Sequence, residues 1–402
     1  MQNIRTAGPI QGILLVACSW LSVVASGALL GPVIPTIIKA FGGGTGVEYQ
    51  VAAIVGMPPL FVALFSWPMG ILADRIGPRR LLVAVTLLYG VSGVAPYFLN
   101  HLDGIIWTRR VVGIAEGGVM TCSYALIGAY FSGQARERWY ALTTGTAPVM
   151  ALVAISVGGG LGQSDWHNVF LVYLFAFVLF LGSAFLLWEP ARGVKSEGAV
   201  APTPAETEAE AAFNWPVFIG ICALSLFVMT AFLITVIQTG TLMTERGVAS
   251  PAVIGRWQAL ASLANPAGAL AFMALRWRFQ EKLALSFVLM TAGFAVIGLR
   301  GDWQAVIWGA AIANFGCGMV LPTVVNWGLR DAPRAIRGRV AGILMACNFF
   351  GQFLSPYVMV YLKELLGGLS VAVAVYAGAC AVGAVVTGLY LLLAGRRQAV
   401  AA

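Results

Sequence analysis

Charged residues are scarce in this sequence of 402 residues. Asp, Glu, Lys and Arg together make up 10% of it, whereas a soluble globular domain carries about 25%. A soluble protein needs charged side chains over much of its surface, so a chain this poor in charge exposes most of its surface to something other than water. Hydrophobic residues make up 59% of the sequence and the mean hydropathy is +0.87. This composition predicts a protein embedded in lipid.

Motifs for catalysis, metal binding and nucleotide hydrolysis are also missing. The two histidines, His101 and His167, have no partners at metal-ligand spacing, and the six cysteines include no Cys-x-x-Cys pair. No Gly-rich phosphate loop, His-Glu-x-x-His motif or nucleophile elbow occurs. We therefore expect neither an enzyme nor an ATP-driven pump, no metal or other cofactor, and cysteines that pack as free thiols.

Twelve apolar runs are long enough to cross a bilayer as helices, which takes about 20 residues each. Because the runs are apolar throughout, rather than alternating as in transmembrane strands, they predict an all-α membrane protein. They lie at roughly 11–38, 50–72, 81–99, 104–131, 139–162, 168–188, 214–243, 252–275, 283–299, 303–329, 338–362 and 369–394.

A polar segment from Glu189 to Ala212, rich in Ala, Pro and Glu, separates six runs from six. Such a composition is typical of a solvated linker. The predicted domains are a six-helix bundle at 1–188, a cytoplasmic linker at 189–213 and a six-helix bundle at 214–402.

Basic residues are unevenly distributed between the two sides of the predicted membrane domain. Most of the 24 Lys and Arg residues fall on the side that holds both termini and the linker. By the positive-inside rule this bias predicts cytoplasmic termini and a multi-pass protein of the inner membrane. Membrane topology accounts for the net charge of +8, so we expect the lipid bilayer, and no nucleic acid, as a partner.

The two halves are also related by sequence. A shift of 201 residues superimposes five identities along the fourth and tenth runs and the loops that follow them. These are Trp107 on Trp308, Gly117 on Gly318, Val119 on Val320, Arg136 on Arg337 and Arg138 on Arg339. Internal repeats of this kind are typical of secondary transporters, whose solute site lies near mid-membrane between the repeats.

The loop after the second run contains the strongest motif. It reads Gly70-Ile-Leu-Ala-Asp74-Arg75-Ile-Gly77-Pro78-Arg79-Arg80. This pattern resembles the G-x-x-x-D-R-x-G-R-R signature of the major facilitator superfamily. The resemblance implies two pseudo-symmetric six-helix bundles of twelve transmembrane helices that rock around a central cavity. It also implies a cytoplasmic gate, in which Asp74 lies against the start of the eleventh helix beside Arg337 and Arg339, with Arg136 nearby.

The fourth run carries Arg109 and the one acid that lies deep in a span, Glu116. The spacing of Arg109, Gly113 and Gly117 resembles a second signature of the same superfamily. Arg109 and Glu116 are seven residues apart, so they lie on one stripe of the helix. A carboxylate at that depth is costly unless it is paired, protonated or hydrated. Two interpretations stay open: the pair handles the proton or the solute, or it forms a static ion pair.

The second half offers neutral polar groups where the first half has charges. At the 201 offset, Arg109 and Glu116 correspond to Ala310 and Cys317. Each neutral candidate could line a cavity or hydrogen-bond a neighbouring helix. The candidates are Gln258, Asn265, Asn314, Asn348 and Gln352.

Two further resemblances within the superfamily favour opposite directions of transport. Pro32-Val33-Ile34-Pro35 resembles the P-V-x-P element of twelve-helix drug:proton antiporters, but their G-P-x-x-G-G element is incomplete in the fifth run. The G-x-x-E-G pattern around Glu116, which follows an arginine, resembles that of organic-anion:proton symporters. We expect a monomeric, proton-coupled transporter of a small organic solute, leaning slightly to symport of an organic anion. Antiport efflux of amphipathic compounds is the alternative, and a non-transporting receptor a remote one.

Overall fold

The computed structural model describes residues 7–25, 27–190, 213–330, 332–333 and 336–400, with the backbone alone for 337, 338 and 390–400. Within these ranges the chain is helical and contains no strand. Most of the predicted linker, residues 191–212, lies outside the described part, and so do residues 1–6 and 401–402 at the termini. The predicted limits of the two bundles at 188 and 214 therefore stay a prediction.

The first half is built from seven described helices. They are α1 (Pro9–Ala25), α2 (Ile34–Ala40), α3 (Thr45–Ile76), α4 (Pro78–Val94), α5 (Leu102–Tyr130), α6 (Gly133–Leu161) and α7 (Phe175–Leu186). A 3-10 turn at Gly31–Val33 leads into α2, and a 3-10 helix at Trp166–Leu174 leads into α7. Gly27 has a φ of 84°, which no α-helix allows, and Pro32 and Pro35 lack an N–H group, so the first span is not one continuous helix.

The second half also contains seven described helices. They are α8 (Trp215–Glu245), α9 (Pro251–Ser262), α10 (Ala264–Ala274), α11 (Phe279–Leu299), α12 (Trp303–Arg330), α13 (Arg337–Leu366) and α14 (Leu369–Val400). The α9–α10 span is interrupted at Leu263. Pro266 lies three residues further on, and its missing N–H group would have bonded to the Ser262 carbonyl at this break.

In the described part of the chain, ten stretches of helix are long and apolar enough to cross a membrane. The α1–α2 and α9–α10 segments, each divided by a break, complete the set of twelve spans. The prediction of an all-α membrane protein with twelve spans is confirmed.

Each half has its own hydrophobic core, and equivalent positions make equivalent contacts. One core extends from Leu15 to Leu187 with two residues of α8, and the other from Phe218 to Cys380. Gly117 of α5 packs against α3, and its counterpart Gly318 of α12 packs against α10. The repeat seen in the sequence is thus a repeat of packing.

The two halves meet at one end of the molecule. There α6 crosses α9 closely: a Cβ atom added at Gly159 would lie 2.9 Å from the Cα atom of Gly255. Helices α3 and α13 approach at Gly56, where an added Cβ atom would lie 3.0 Å from the carbonyl oxygen of Phe353. We call this end, which includes the α2–α3, α8–α9 and α13–α14 turns, the closed end.

The other end carries the α3–α4 and α5–α6 turns, and we call it the open end. Among the described residues, the interactions between the halves lie at the closed end or at mid-depth. Helix α6 shows the same asymmetry, because Ala154, Ile155, Gly158 and Gly159 are buried whereas residues 133–138 are exposed. The space between the halves therefore opens toward the end that carries Asp74.

Candidate functional site

Glu116 lies in the middle of α5 and its side chain is 3% exposed. Its Oε1 atom accepts a hydrogen bond of 2.7 Å from the hydroxyl of Ser22 on α1. Its Oε2 atom is buried and has no hydrogen-bond partner. Ser22 itself is partly exposed. The carboxyl group is thus buried, and only one of its two oxygens accepts a hydrogen bond. That hydrogen bond comes from a hydroxyl group whose residue is partly exposed.

Arg109 is buried in the first bundle, with 1% of its side chain exposed. Its Nη1 atom donates to the Tyr173 hydroxyl at 2.8 Å, and Nη2 donates to the carbonyl oxygens of Gly93 at 3.2 Å and Ser92 at 3.4 Å. The guanidinium carbon also lies 5.2 Å from the ring centre of Phe170. These partners sit on α4 and the 3-10 helix before α7, so Arg109 joins helices within one bundle.

Arg109 and Glu116, both of which are described, do not form an ion pair. Helical side chains incline toward the helix N-terminus, so Arg109 points away from Glu116 rather than along the stripe to it. Tyr89 of α4 donates a hydrogen bond of 2.6 Å to the Leu21 carbonyl, and its ring lies 5.4 Å from that of Tyr173. The static pair is therefore not formed in this structure.

Three of the neutral candidates in the second half are tied between helices. Asn314 accepts a hydrogen bond of 2.7 Å from Thr235 of α8, and the amide of Asn265 donates to the Asn314 carbonyl at 3.4 Å. Gln258 donates to the carbonyl of Val236. Because both Asn314 and Gln258 are 1% exposed, this group holds α8, α9, α10 and α12 together.

The other two candidates lie on α13. The side-chain amide oxygen of Asn348 accepts a hydrogen bond of 2.6 Å from the hydroxyl of Ser225. Gln352 is partly exposed, and it has no hydrogen bond with any described residue. Gln352 therefore has its polar group available to a solute, whereas the buried amide oxygen of Gln258 also has no hydrogen-bond partner.

The gate motif lies at the open end. Asp74, near the end of α3, is exposed and forms no ion pair or hydrogen bond with the described part of the chain. Gly77 has a φ of 101°, which permits the tight turn into α4. Arg79 donates to the Ala184 carbonyl at the end of α7. The turn is thus held within the first bundle, while Asp74 has no partner there.

The remaining predicted gate residues are spread around the open end. Gly70 faces Thr121 of α5, Arg75 and Arg136 are exposed, and Arg339 is exposed in the first turn of α13. The side chain of Arg337 lies outside the described atoms. Gly70, Arg75 and Arg136 belong to the first half and Arg339 to the second, and the contacts between the halves described above do not lie at this end.

Glu189 is a partner of this motif that the sequence interpretation assigned to the linker. Its carboxylate accepts a hydrogen bond of 3.2 Å from the backbone N–H of Arg80 and covers the α4 N-terminus at Gly77. An acid is favourable there because free N–H groups and the helix dipole meet it. The sequence contained no signal that linked positions 77 and 189.

Charged side chains that the sequence interpretation also missed connect the halves at the closed end. The ammonium group of Lys363 on α13 lies 2.6 Å from the carboxylate of Glu48 on α3 and 3.9 Å from that of Glu245 on α8. Gln163 accepts a hydrogen bond of 2.8 Å from the hydroxyl of Ser250. These polar contacts hold the two halves together at the closed end.

Comparison with known proteins identifies the family. The model of the Major Facilitator Superfamily matches residues 15–356. Transcription regulatory protein OpdE of Pseudomonas aeruginosa is 26% identical over 313 residues, 76% of this chain and 75% of OpdE. Methyl viologen resistance protein SmvA of Salmonella typhimurium is 26% identical over 165 residues, 40% of this chain and 32% of SmvA.

A solved structure has the same fold. It is the crystal structure of a bacterial homolog of the human lysosomal transporter Spinster, in an inward-facing and unoccupied conformation. It is 17% identical with a TM-score of 0.77, over 97% of this chain and 98% of that one. The chain belongs to the Major Facilitator Superfamily and is a multi-pass membrane transporter of small solutes, not an enzyme.

Proposed function

We propose that this protein exchanges protons for a small organic solute by alternating access, with Glu116 as the proton carrier. The observation that carries the proposal is the placement of Glu116, the one buried carboxyl group in the described part of the chain. It has no cationic partner, and one of its oxygens has no hydrogen bond. A charge in such a place is costly, so the neutral acid is favoured until water or solute arrives.

Ser22 offers the route by which the proton would enter and leave. Its hydroxyl touches the Glu116 carboxyl group, and its side chain is partly exposed. A hydroxyl group can both donate and accept a hydrogen bond, so it can relay a proton between the acid and water between the halves. In this proposal Ser22 links the charge of Glu116 to the solute or water in that space.

The burial of Arg109 favours antiport over anion symport. Its guanidinium is held by Tyr173, Gly93 and Phe170 inside the first bundle, where a solute has no access. The preference for organic anions rested on Arg109, and its guanidinium is already bound by the protein itself. The resemblance to SmvA, named for resistance to methyl viologen, supports export of an organic compound.

Symport of an organic anion is a second candidate because of Arg110. This residue is partly exposed, its guanidinium carbon lies 4.1 Å from the ring centre of Trp107, and Tyr357 of α13 lies in its vicinity. A cation between the halves could bind a carboxylate. Arg110 thus takes the anion-binding role first assigned to Arg109.

We further propose an inner-membrane location with cytoplasmic termini, which makes the open end the cytoplasmic end. Support comes from the excess of Lys and Arg on that side. Export would then start from the arrangement described above, in which the cavity is accessible from the cytoplasm.

Flux in proteoliposomes under an imposed pH gradient tests the function. With an acidic lumen, antiport predicts that amphipathic cations or neutral solutes accumulate while the lumen becomes alkaline. With an acidic exterior, symport predicts that organic anions accumulate. A panel of both classes, with the Glu116→Gln variant as control, distinguishes the two candidates. Absence of gradient-driven flux for every solute would refute both and favour a non-transporting receptor.

A further inference from the structure

A cavity of about 990 Å³ lies at the open end of the second half, apart from the space between the halves. It is bounded by the end of α10, the following loop, the start of α11, the end of α12 and one face of α14. Its wall includes Trp277, Phe279, Lys282, Trp327 and Arg330. With Phe272, which also lines the cavity, two cations and four aromatic rings therefore surround one space.

The equivalent space in the first half is filled by the protein itself. There the ring of Trp188 stacks on Tyr130 with 4.7 Å between centroids, and Glu189 covers the start of α4. At the 201 offset Trp188 corresponds to Leu389. Helix α7 ends at Leu186 and the chain turns inward, whereas α14 continues to Val400. Among the described side chains, none takes the place of Trp188 in the second half.

The cations of the cavity stand among aromatic groups. The Lys282 ammonium donates to the Phe272 carbonyl at 2.9 Å and lies 4.3 Å from the centre of that ring. Arg330, at the end of α12, is exposed, and Trp277 is 50% exposed. Trp side chains beside Lys and Arg at the end of a transmembrane bundle are typical of the headgroup level of a bilayer.

The cavity also borders an apolar surface suited to lipid chains. Val386 and Thr387 of α14 form one wall. On the same helix Val382, Val385 and Leu389 are exposed, so an apolar strip leads away from the cavity into the membrane. A water-soluble anion would need the cations but not this strip.

We propose that this cavity binds an anionic phospholipid, with its phosphate at Lys282 and Arg330 and its acyl chains along α14. Basic pockets between transmembrane helices on the cytoplasmic side suit such headgroups. The site is distinct from the Glu116 site and does not depend on which solute is transported.

Retention of phosphatidylglycerol tests the site. The full chain is reconstituted in nanodiscs of phosphatidylglycerol and phosphatidylcholine, extracted into detergent and examined by native mass spectrometry. The double variant Lys282→Gln/Arg330→Gln should bind phosphatidylglycerol roughly 30-fold more weakly, at about 1 kcal/mol for each cation. The control Lys39→Gln/Arg138→Gln removes the same charge elsewhere and should retain the lipid.

A second variant blocks the cavity without changing its charge. Thr387→Trp places a large ring in the wall and should also release phosphatidylglycerol. Equal retention in the wild type and either cavity variant would overturn the proposal, as would equal loss in the control. Displacement of the lipid by millimolar inorganic phosphate would instead identify a site for free anions, and would also overturn it.

Discussion

Glu116 of α5 is joined to Ser22 of α1 by a hydrogen bond of 2.7 Å, and not to Arg109 on its own helix. An ion pair would fix the carboxylate in its charged form. A hydrogen bond to a neutral hydroxyl leaves the group free to gain or lose a proton, because a hydroxyl can act as either donor or acceptor. The same contact attaches α5 to α1, so a movement of α1 would change the surroundings of the carboxyl group.

Glu116→Gln should abolish proton-driven accumulation and preserve exchange of unlabelled for labelled solute. Gln keeps the size and the hydrogen bond to Ser22 but cannot titrate. We expect at least a tenfold loss of gradient-driven flux in proteoliposomes, with thermal unfolding in detergent little changed. Glu137→Gln, which removes an exposed acid from α6, should behave as wild type. Full pH-driven flux in a stable Glu116→Gln protein would end the proton-carrier proposal.

Arg109→Gln should lower stability rather than solute affinity. The variant loses charged hydrogen bonds to Tyr173 and to the Gly93 carbonyl. The expected loss is about 3 kcal/mol in the free energy of unfolding, since each hydrogen bond from a charged group contributes about 1.5–3 kcal/mol. Thermal unfolding in detergent measures this loss, with Arg110→Gln as the control on the neighbouring, less buried residue. An Arg109→Gln protein of normal stability whose KM is raised for anions alone would contradict the structural role.

Span number and helical class were predictable because they depend on local composition. A segment in lipid must satisfy its backbone internally, so an apolar run of sufficient length becomes a helix. The interruption near Pro32 and the break before Pro266 have a local cause, although runs of hydropathy alone do not reveal them. The five repeated identities predicted the equivalence that Gly117 and Gly318 confirm.

Contacts between distant residues were much less predictable. The spacing of Arg109 and Glu116 predicts a shared stripe, but Arg109 points toward the helix N-terminus, where Tyr173 and the Gly93 carbonyl accept its hydrogen bonds. Lys363 and Glu48 are 315 residues apart. Only the packing of α13 on α3 explains why these two charges meet.

Topology can be tested by labelling single cysteines. In cells, an impermeant maleimide added outside should label Gly46→Cys and Gly301→Cys, two positions at the closed end where an added side chain meets no atom within 4 Å. Thr203→Cys in the linker should react only after the membrane is permeabilised. Labelling of position 203 in intact cells would contradict the proposed orientation.

Breaking the Lys363–Glu48 pair should favour opening of the closed end. The pair is partly buried, with 28% and 17% of the side chains exposed, and a contribution of about 1 kcal/mol corresponds to a roughly fivefold population change. Spin labels at positions 46 and 301 should show longer distances in Lys363→Glu. The charge-swapped double variant Lys363→Glu/Glu48→Lys should restore the short distance. If Lys363→Glu leaves the distance unchanged, the pair is not what holds the end closed.

Asp74→Asn should reduce transport at least tenfold while leaving the thermal stability of the protein unchanged. Asp74 is exposed and has no partner among the described residues, so its charge contributes nothing to the arrangement seen here. Its proposed partner is the start of α13, where free N–H groups and the arginines favour an anion. That contact requires the open end to close. The variant should therefore destabilise only the conformation in which the open end is closed.

Spin labels at positions 145 and 342 follow this closure directly, because an added side chain meets no atom within 4 Å at either glycine. In the wild type, solute and a pH gradient should populate a shorter distance between the labels, and in Asp74→Asn that population should fall. Asp103→Asn, in the first turn of α5 at the other end, serves as the matched control and should keep both flux and distance. If Asp74→Asn keeps the short distance but loses flux, the carboxylate acts on the solute or the proton and not on the gate. Normal flux in Asp74→Asn, at matched membrane abundance, would show that transport does not need this carboxylate.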